Sequence, residues 1–326
     1  MPRMPKALLA CLAAWVVAWA PPARAQDSFP NRPIRLVVPF AAGGPSDIVA
    51  RMMAPRMAEL LGQPVVVESR PGAGGTTGVD AVARAAPDGH TIVLGSAGGL
   101  AISPGLQPNL PYQPLRDLAP ITLAVIVNEP LVVNAALPYR TLAELLAAAK
   151  AQPGRLNYGS SGPGGMPHLA GELVRLAAGI EITHVPYRGG APLAMALVAG
   201  EVQMGFADLP ALLPHLRAGA LRALAIGSTE RHPLLPEVPT MAEAGLPGVM
   251  TDNWHGLVAP AGTPAPALAA LHRAAAAALT EPETARLLRE QGAIPVGNSQ
   301  AEFAAFLKAE TARWQDVIQR AGVKLE

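Results

Sequence analysis

From residue 34 onward the apolar positions alternate between two spacings. Short runs rich in β-branched residues predict strands at 36–38, 65–68, 91–94, 121–127, 131–134, 182–185, 202–206 and 223–226. Between them, apolar residues recur at helical spacing: Ile48, Val49, Met52 and Met53; Val79, Val82 and Ala83; Leu142, Leu145 and Leu146; Leu169, Leu173 and Leu176; Leu193 and Leu197. The tail reads as helices at 266–279, 283–291 and 299–321, the last with Phe303, Phe306, Leu307, Trp314 and Ile318 on its core face. Gly62 is the expected C-cap of the first helix, and Pro55 is expected to kink or shorten that helix. Thr141 and Glu144 have capping-box spacing.

Strand and helix in alternation predict an α/β architecture, with mostly parallel sheets flanked by helices. Asn128-Glu129-Pro130 interrupts two apolar runs and reads as a crossing between domains, and 254–259 reads as the return crossing. The expected organisation is therefore one domain of 26–127 plus 255–326 and a second of 128–254.

One local device recurs. Apolar residues enter a small-residue loop that enters a helix at Pro39 to Asp47, again at Tyr158 to His168, and again at Pro186 to Pro192. Gly43 and Gly44 allow close approach to the main chain, and Ser46 or Asp47 can cap the helix that follows. Pro45, Pro167 and Pro192 suit a first helical turn, where a missing N–H costs nothing. A helix start offers unpaired N–H groups and a positive dipole end, which hold a small anion without a cationic side chain. Each loop alone is equally an ordinary strand-to-helix turn. In open α/β sheets such loops gather at the carboxyl ends of strands, where ligands bind. The 91–94 strand ends in the same way, at Gly95-Ser96-Ala97-Gly98-Gly99.

Composition narrows the class. Arg3 and Lys6, an apolar stretch from Ala7 to Ala20, and Ala23-Arg24-Ala25 describe a secretory signal over residues 1–25, cleaved after Ala25. The lipoprotein-like Leu8-Leu9-Ala10-Cys11 follows too short an apolar run for that alternative. Cleavage removes the only cysteine, Cys11, and with it any disulfide, thiol nucleophile or cysteine-held metal. It also removes three of the 25 basic residues against 24 acidic ones, leaving a slightly acidic chain with no signature of nucleic-acid or anionic-membrane binding. No later run is long and apolar enough to span a bilayer, so an exported, soluble monomer is expected.

Catalytic signatures fail individually. Gly159-Ser160-Ser161-Gly162 lacks the final glycine of a nucleophile elbow, where Pro163 stands. Gly72-Ala73-Gly74-Gly75-Thr76-Thr77 matches neither the dinucleotide nor the phosphate-loop pattern. The seven histidines show no zinc spacing, so no metal or cofactor is expected. His168 reads as either a ligand contact or a polar contact at a helix start. Asp208 faces a cleft or caps the helix after it, Arg188 contacts a ligand or stays solvated, and Trp254 is cleft wall or core. A secreted hydrolase or isomerase using Ser161, His168 or Asp208 is the rival to a binding protein.

The motifs together carry a family resemblance. Arg32 to Gly44 with Asp47 and Arg51, Gly62 to Glu68, Arg70 to Gly75, Pro87-Asp88-Gly89, Tyr158-Gly159-Ser160, His184 to Tyr187, Val238-Pro239-Thr240 and Ala259 to Pro264 resemble the Bug-type periplasmic receptors of tripartite tricarboxylate transporters. The resemblance spans the mature chain. It implies a two-domain Venus-flytrap fold of type II kind, closing on a small carboxylate such as a dicarboxylic, amino or aromatic acid. It implies main-chain N–H groups as the carboxylate's holders, at Phe40, Ala41, Gly43, Gly44, Ser46 and Asp47 and, in the second domain, at Ser160, Ser161 and Gly164. Ser96, His168, Arg188 and Asp208 complete the expected ligand-binding set. Pro45 and Met166-Pro167 stand where members vary. The membrane components of such a transporter are the partners the resemblance implies.

Overall fold

The computed structural model describes residues 29–323; the expected signal segment and Cys11 lie outside them. In chain order the elements begin β1 (Ile34–Val38), α1 (Pro45–Leu61), β2 (Val65–Ser69), a 3₁₀ turn (Ala73–Gly75), α2 (Thr76–Ala83) and β3 (Thr91–Ser96). A π-helical turn (Gly98–Ile102), α3 (Ser103–Leu106), α4 (Pro114–Asp117) and β4 (Leu118–Val127) follow. Next come β5 (Pro130–Asn134), α5 (Leu142–Ala151), β6 (Leu156–Ser160), α6 (Met166–Ala178), β7 (Ile182–Pro186), α7 (Gly190–Ala199), β8 (Met204–Phe206), α8 (Leu209–Arg217) and β9 (Leu221–Ile226). The chain closes with β10 (Asn253–Pro260), α9 (Ala265–Thr280), α10 (Pro282–Glu290), β11 (Ala293–Pro295) and α11 (Gln300–Ala321).

The strands form two sheets, ordered β11-β4-β10-β3-β1-β2 and β7-β6-β8-β5-β9. In each, a βαβαβ run supplies three parallel strands, with β1 between β2 and β3 and β6 between β7 and β8. The next strand is antiparallel in both sheets: β10 on β3, and β5 on β8. The expectation of mostly parallel sheets is corrected accordingly, because β4, β5, β9, β10 and β11 join through antiparallel pairings. Residues 254–259 are likewise not a crossing. They belong to β10, inside the first sheet, where Asn253 and Trp254 pair with Val127 and Ile126. All eight residues of β10 are buried, so it shows no polar alternation from which a strand could be read.

Local signals hold where they are strong. Gly62 ends α1 with φ 66°, and Thr141 with Glu144 closes a capping box on α5. Pro55 does not shorten α1, which runs 17 residues through it; buried Met53 and Met57 on either side pack it into the first core. That core lies between one face of the first sheet and α1 and α9. On the opposite face Trp254, Phe303 and Trp314 pack with Val79, Leu100 and two residues of α6, Met166 and Leu169. Each buried side chain of that size contributes roughly 1.5–3 kcal/mol. The start of α6 is thus fixed against the first sheet's core although its own strand, β6, belongs to the second sheet.

Candidate functional site

The loops after β1 and β6 are conformational duplicates. Gly43 and Gly164 take positive φ, 79° and 71°, closed to most side chains. The following glycines are the helix N-caps, Gly44 at φ −78°, ψ 171° and Gly165 at φ −87°, ψ 173°. Three residues later the sequence places Asp47 and His168, and each reaches back over the turn. The Asp47 Oδ2 accepts the Gly43 N–H at 2.9 Å, and the His168 Nδ1 accepts the Gly164 N–H at 3.1 Å. Neither Ser46 nor Asp47 caps α1 as expected; Asp47 instead latches the loop ahead of the cap. Proline occupies the first turn of both helices, as Pro45 and Pro167. The main-chain N–H groups of Ser46, Asp47, Met166 and His168 have no acceptor among the described residues.

Electrostatics differ between the copies. Burial pushes the Asp47 carboxyl up, but hydrogen bonds from Arg51 and Gly43, with the Arg51 charge, outweigh it and hold it below the usual range. Arg51 Nε lies 2.7 Å away. The second loop stands on uncharged rings. His168 stacks on His184 with centroids 4.0 Å apart, and Tyr158 also stacks with His184, at 4.9 Å. Burial, with the neighbouring His168, takes His184 down to about 3, and burial also lowers His168 against the opposing pull of Glu172.

Glycines bring the loops after β2 and β3 close to the loop after β6. A Cβ at Gly75 would meet the Phe40 ring at 3.2 Å, and one at Gly74 would lie 3.4 Å from the Pro163 carbonyl oxygen. One at Gly98, beside Ser96, would lie 3.6 Å from Gly165 Cα. The Gly164 loop therefore borders Gly74 and Gly98, with Phe40 packed on neighbouring Gly75 and Ser96 beside Gly98. Ser46 Oγ lies 3.2 Å from His255 Nε2, and Ser160 Oγ lies 2.7 Å from His184 Nε2. Ala41 is exposed at the loop tip, and its carbonyl accepts from Gly44. Arg188 is exposed, without an ion pair among the described residues. Asp208 is the N-cap residue of α8, but its Oδ1 accepts from Asn253 of β10 instead of capping. Trp254 is core, 2 % exposed, its indole N–H donating to Glu310.

Among the described residues Ser161, His168 and Asp208 share no hydrogen bond with one another. No cluster of metal-ligating side chains occurs among the described residues. His184, Asn253 and His255 are site neighbours that sequence reasoning missed. A groove of about 940 Å³ lies elsewhere, beside β9, between Arg140, Leu213, Leu235 and Glu243. It contains none of the expected residues.

Residues 49–323 match the family model of the tripartite tricarboxylate transporter family receptor, TctC. The chain belongs to this family. It is 39 % identical over 301 residues to the protein BugT of Bordetella pertussis, covering 92 % of each chain. Among solved structures it is similar to R. palustris Rpa4515 with adipate, at 38 % identity and TM-score 0.86, covering 91 % of this chain and 99 % of that one. It is also similar to MatC (Rpa3494) of Rhodopseudomonas palustris with bound malate, at 37 % identity and TM-score 0.82, covering 89 % and 100 %. The two-sheet α/β fold is thus that of periplasmic binding proteins, as the motifs implied. No helix among the described residues is long and apolar enough to cross a membrane.

Proposed function

We propose that the protein is a periplasmic receptor that captures a small organic carboxylate by closing two lobes, 26–127 with 253–326 and 128–252, for uptake or sensing. The boundary moves by two residues from the expected one because Asn253 and Trp254 pair within the first sheet. The observation that carries the reading is the duplicated cradle: two helix starts with free N–H groups, latched alike by Asp47 and His168. Free N–H groups at a helix N-terminus favour an anion. Adipate and malate in the structures of two relatives support a carboxylate as that anion.

The ligand contacts in this reading come from the main chain of Ser46, Asp47, Ser161, Met166 and His168, the Ser46 hydroxyl, and walls formed by Phe40, Ser96 and Pro163. The N–H groups of Gly43 and Gly164 are already spent on their latches, so these glycines shape the loops without donating. The receptor acts as a monomer without catalytic residues, is released by cleavage after Ala25, and delivers its ligand to the membrane components of a tripartite transporter.

Thermal shift against a panel of dicarboxylic, amino and aromatic acids tests this. A ligand at 100 times its Kd stabilises the folded state by about 2.7 kcal/mol, a rise of roughly 5–10 °C. Stabilisation by neutral or cationic solutes alone contradicts the reading.

A further inference from the structure

His255 sits on β10 opposite Ser96 of β3 and Val125 of β4, only 1 % exposed. Its Nε2 faces Ser46 Oγ at 3.2 Å, while its Nδ1 is enclosed with no hydrogen-bond partner among the described residues. Burial keeps the ring neutral, against a weaker pull from Asp208. One nitrogen therefore carries a proton and the other a lone pair. Orphaned N–H groups are rarer in protein interiors than under-satisfied acceptors, and an unmet donor loses all the solvation it had in water. The proton accordingly belongs on Nε2, where Ser46 Oγ accepts it. Asp208 acts on the ring only through its charge and forms no hydrogen bond with it; its Oδ1 accepts from the Asn253 amide.

A serine oxygen that accepts from His255 keeps its own hydrogen, and that hydrogen has no acceptor among the described residues. Ser160 is different. Its oxygen accepts from the Gly162 N–H at 3.2 Å, its proton has the Gly162 carbonyl as an acceptor at 3.0 Å, and His184 Nε2 lies 2.7 Å from it. The Ser160 hydroxyl is spent inside its loop, and the Ser46 hydroxyl is not. Ser46 is also the second residue of α1, next to the free N–H groups of the first cradle.

We infer that His255 is a positioning residue for the anion site: as the Nε2–H tautomer it donates to Ser46 Oγ and turns the Ser46 hydroxyl into a donor for a ligand carboxylate. This rests on the carboxylate reading and adds the side chain that senses the ligand's charge. An ionised carboxylate only accepts hydrogen bonds. The opposite tautomer would turn the serine proton inward and face the ligand with lone pairs.

Long-range ¹H–¹⁵N spectra of the imidazoles in the ligand-free mature protein read the tautomer directly, with the His255 signal assigned by its loss in His255→Gln. An Nε2-protonated pattern is expected, and an Nδ1-protonated pattern overturns the inference. Titration calorimetry with adipate and with malate supplies the second readout. His255→Gln, whose amide places an N–H donor where Nε2 stood, should bind within about 3-fold of the unaltered protein. His255→Phe should bind about 10-fold more weakly, and the double variant His255→Phe with Ser46→Ala should bind no more weakly than Ser46→Ala alone. Unchanged affinity in His255→Phe overturns the inference. Failure of every carboxylate to bind defeats the receptor reading instead, and the spectrum of the free protein still decides the role of His255.

Discussion

Replacing Asp47 by alanine separates a loop latch from a surface ion pair. The Asp47 side chain is 3 % exposed and accepts from Gly43 N–H and Arg51 Nε, whereas the Arg51 side chain is 56 % exposed. Hydrogen bonds to a charged acceptor contribute about 1.5–3 kcal/mol. Gly43 is exposed, so its freed N–H turns to water and the lower end applies. The Arg51 pair, solvated on one side, contributes at most about 1 kcal/mol. Asp47→Ala should therefore cost about 2 kcal/mol in urea unfolding, and Arg51→Ala about 0.5 kcal/mol, both at unchanged m-value. The sign with pH follows from the carboxyl being held below its usual value in the folded state. Its contribution is complete above the unfolded pKa and disappears as pH falls through the folded one. The Asp47→Ala deficit should therefore shrink in acid. An Asp47→Ala loss no larger than that of Arg51→Ala, or a deficit that grows as pH falls, refutes the latch.

Other perturbations probe the rest of the account. Gly171→Ala puts a Cβ 2.1 Å from Tyr158 Cε2, on a ring already fixed by His184 stacking and by its bond to Glu172. Overpacking of that kind should cost about 3 kcal/mol or more, visible in the melting temperature. Gly44→Val places its Cβ 3.2 Å from the Ala41 carbonyl and crowds the cradle's mouth; carboxylate-induced thermal shift should vanish while the fold persists by circular dichroism. Asp252 is pushed up to about 7, chiefly by burial, despite its bond from Asn128. The folded protein thus keeps a proton that the unfolded chain loses, so this group makes stability fall by up to about 1.4 kcal/mol per pH unit between pH 4 and 7. Asp252→Asn should remove that slope in urea titrations across the same range.

The local half of the design was legible in the sequence. Glycine and proline punctuate the strand-to-helix loops, and the duplicated Gly43-Gly44 and Gly164-Gly165 turns need only neighbouring residues to be read. The Asp47 latch also lies within four residues of its partner, yet a carboxylate near a helix start reads more readily as a cap than as a tie to the preceding loop. What stayed hidden depends on distant chain. His255 meets Ser46 across more than 200 residues, and His184 meets Ser160 through the β6–β7 register. Strand β10 was misread because it lies between β3 and β4 and is buried on both faces, leaving no periodicity. Asp208 could be located at a strand end, but its bond to Asn253 exists only once the two sheets come together.

Native mass spectrometry of the mature protein, isolated from the periplasm without refolding, tests the receptor reading most directly. The expected result is a bound small acid that leaves when the protein is unfolded and that restores the thermal shift when added back. Such rebinding should be lost in Gly44→Val. A protein that carries no small acid and is stabilised by none, or whose bound solute is neutral or cationic, contradicts it.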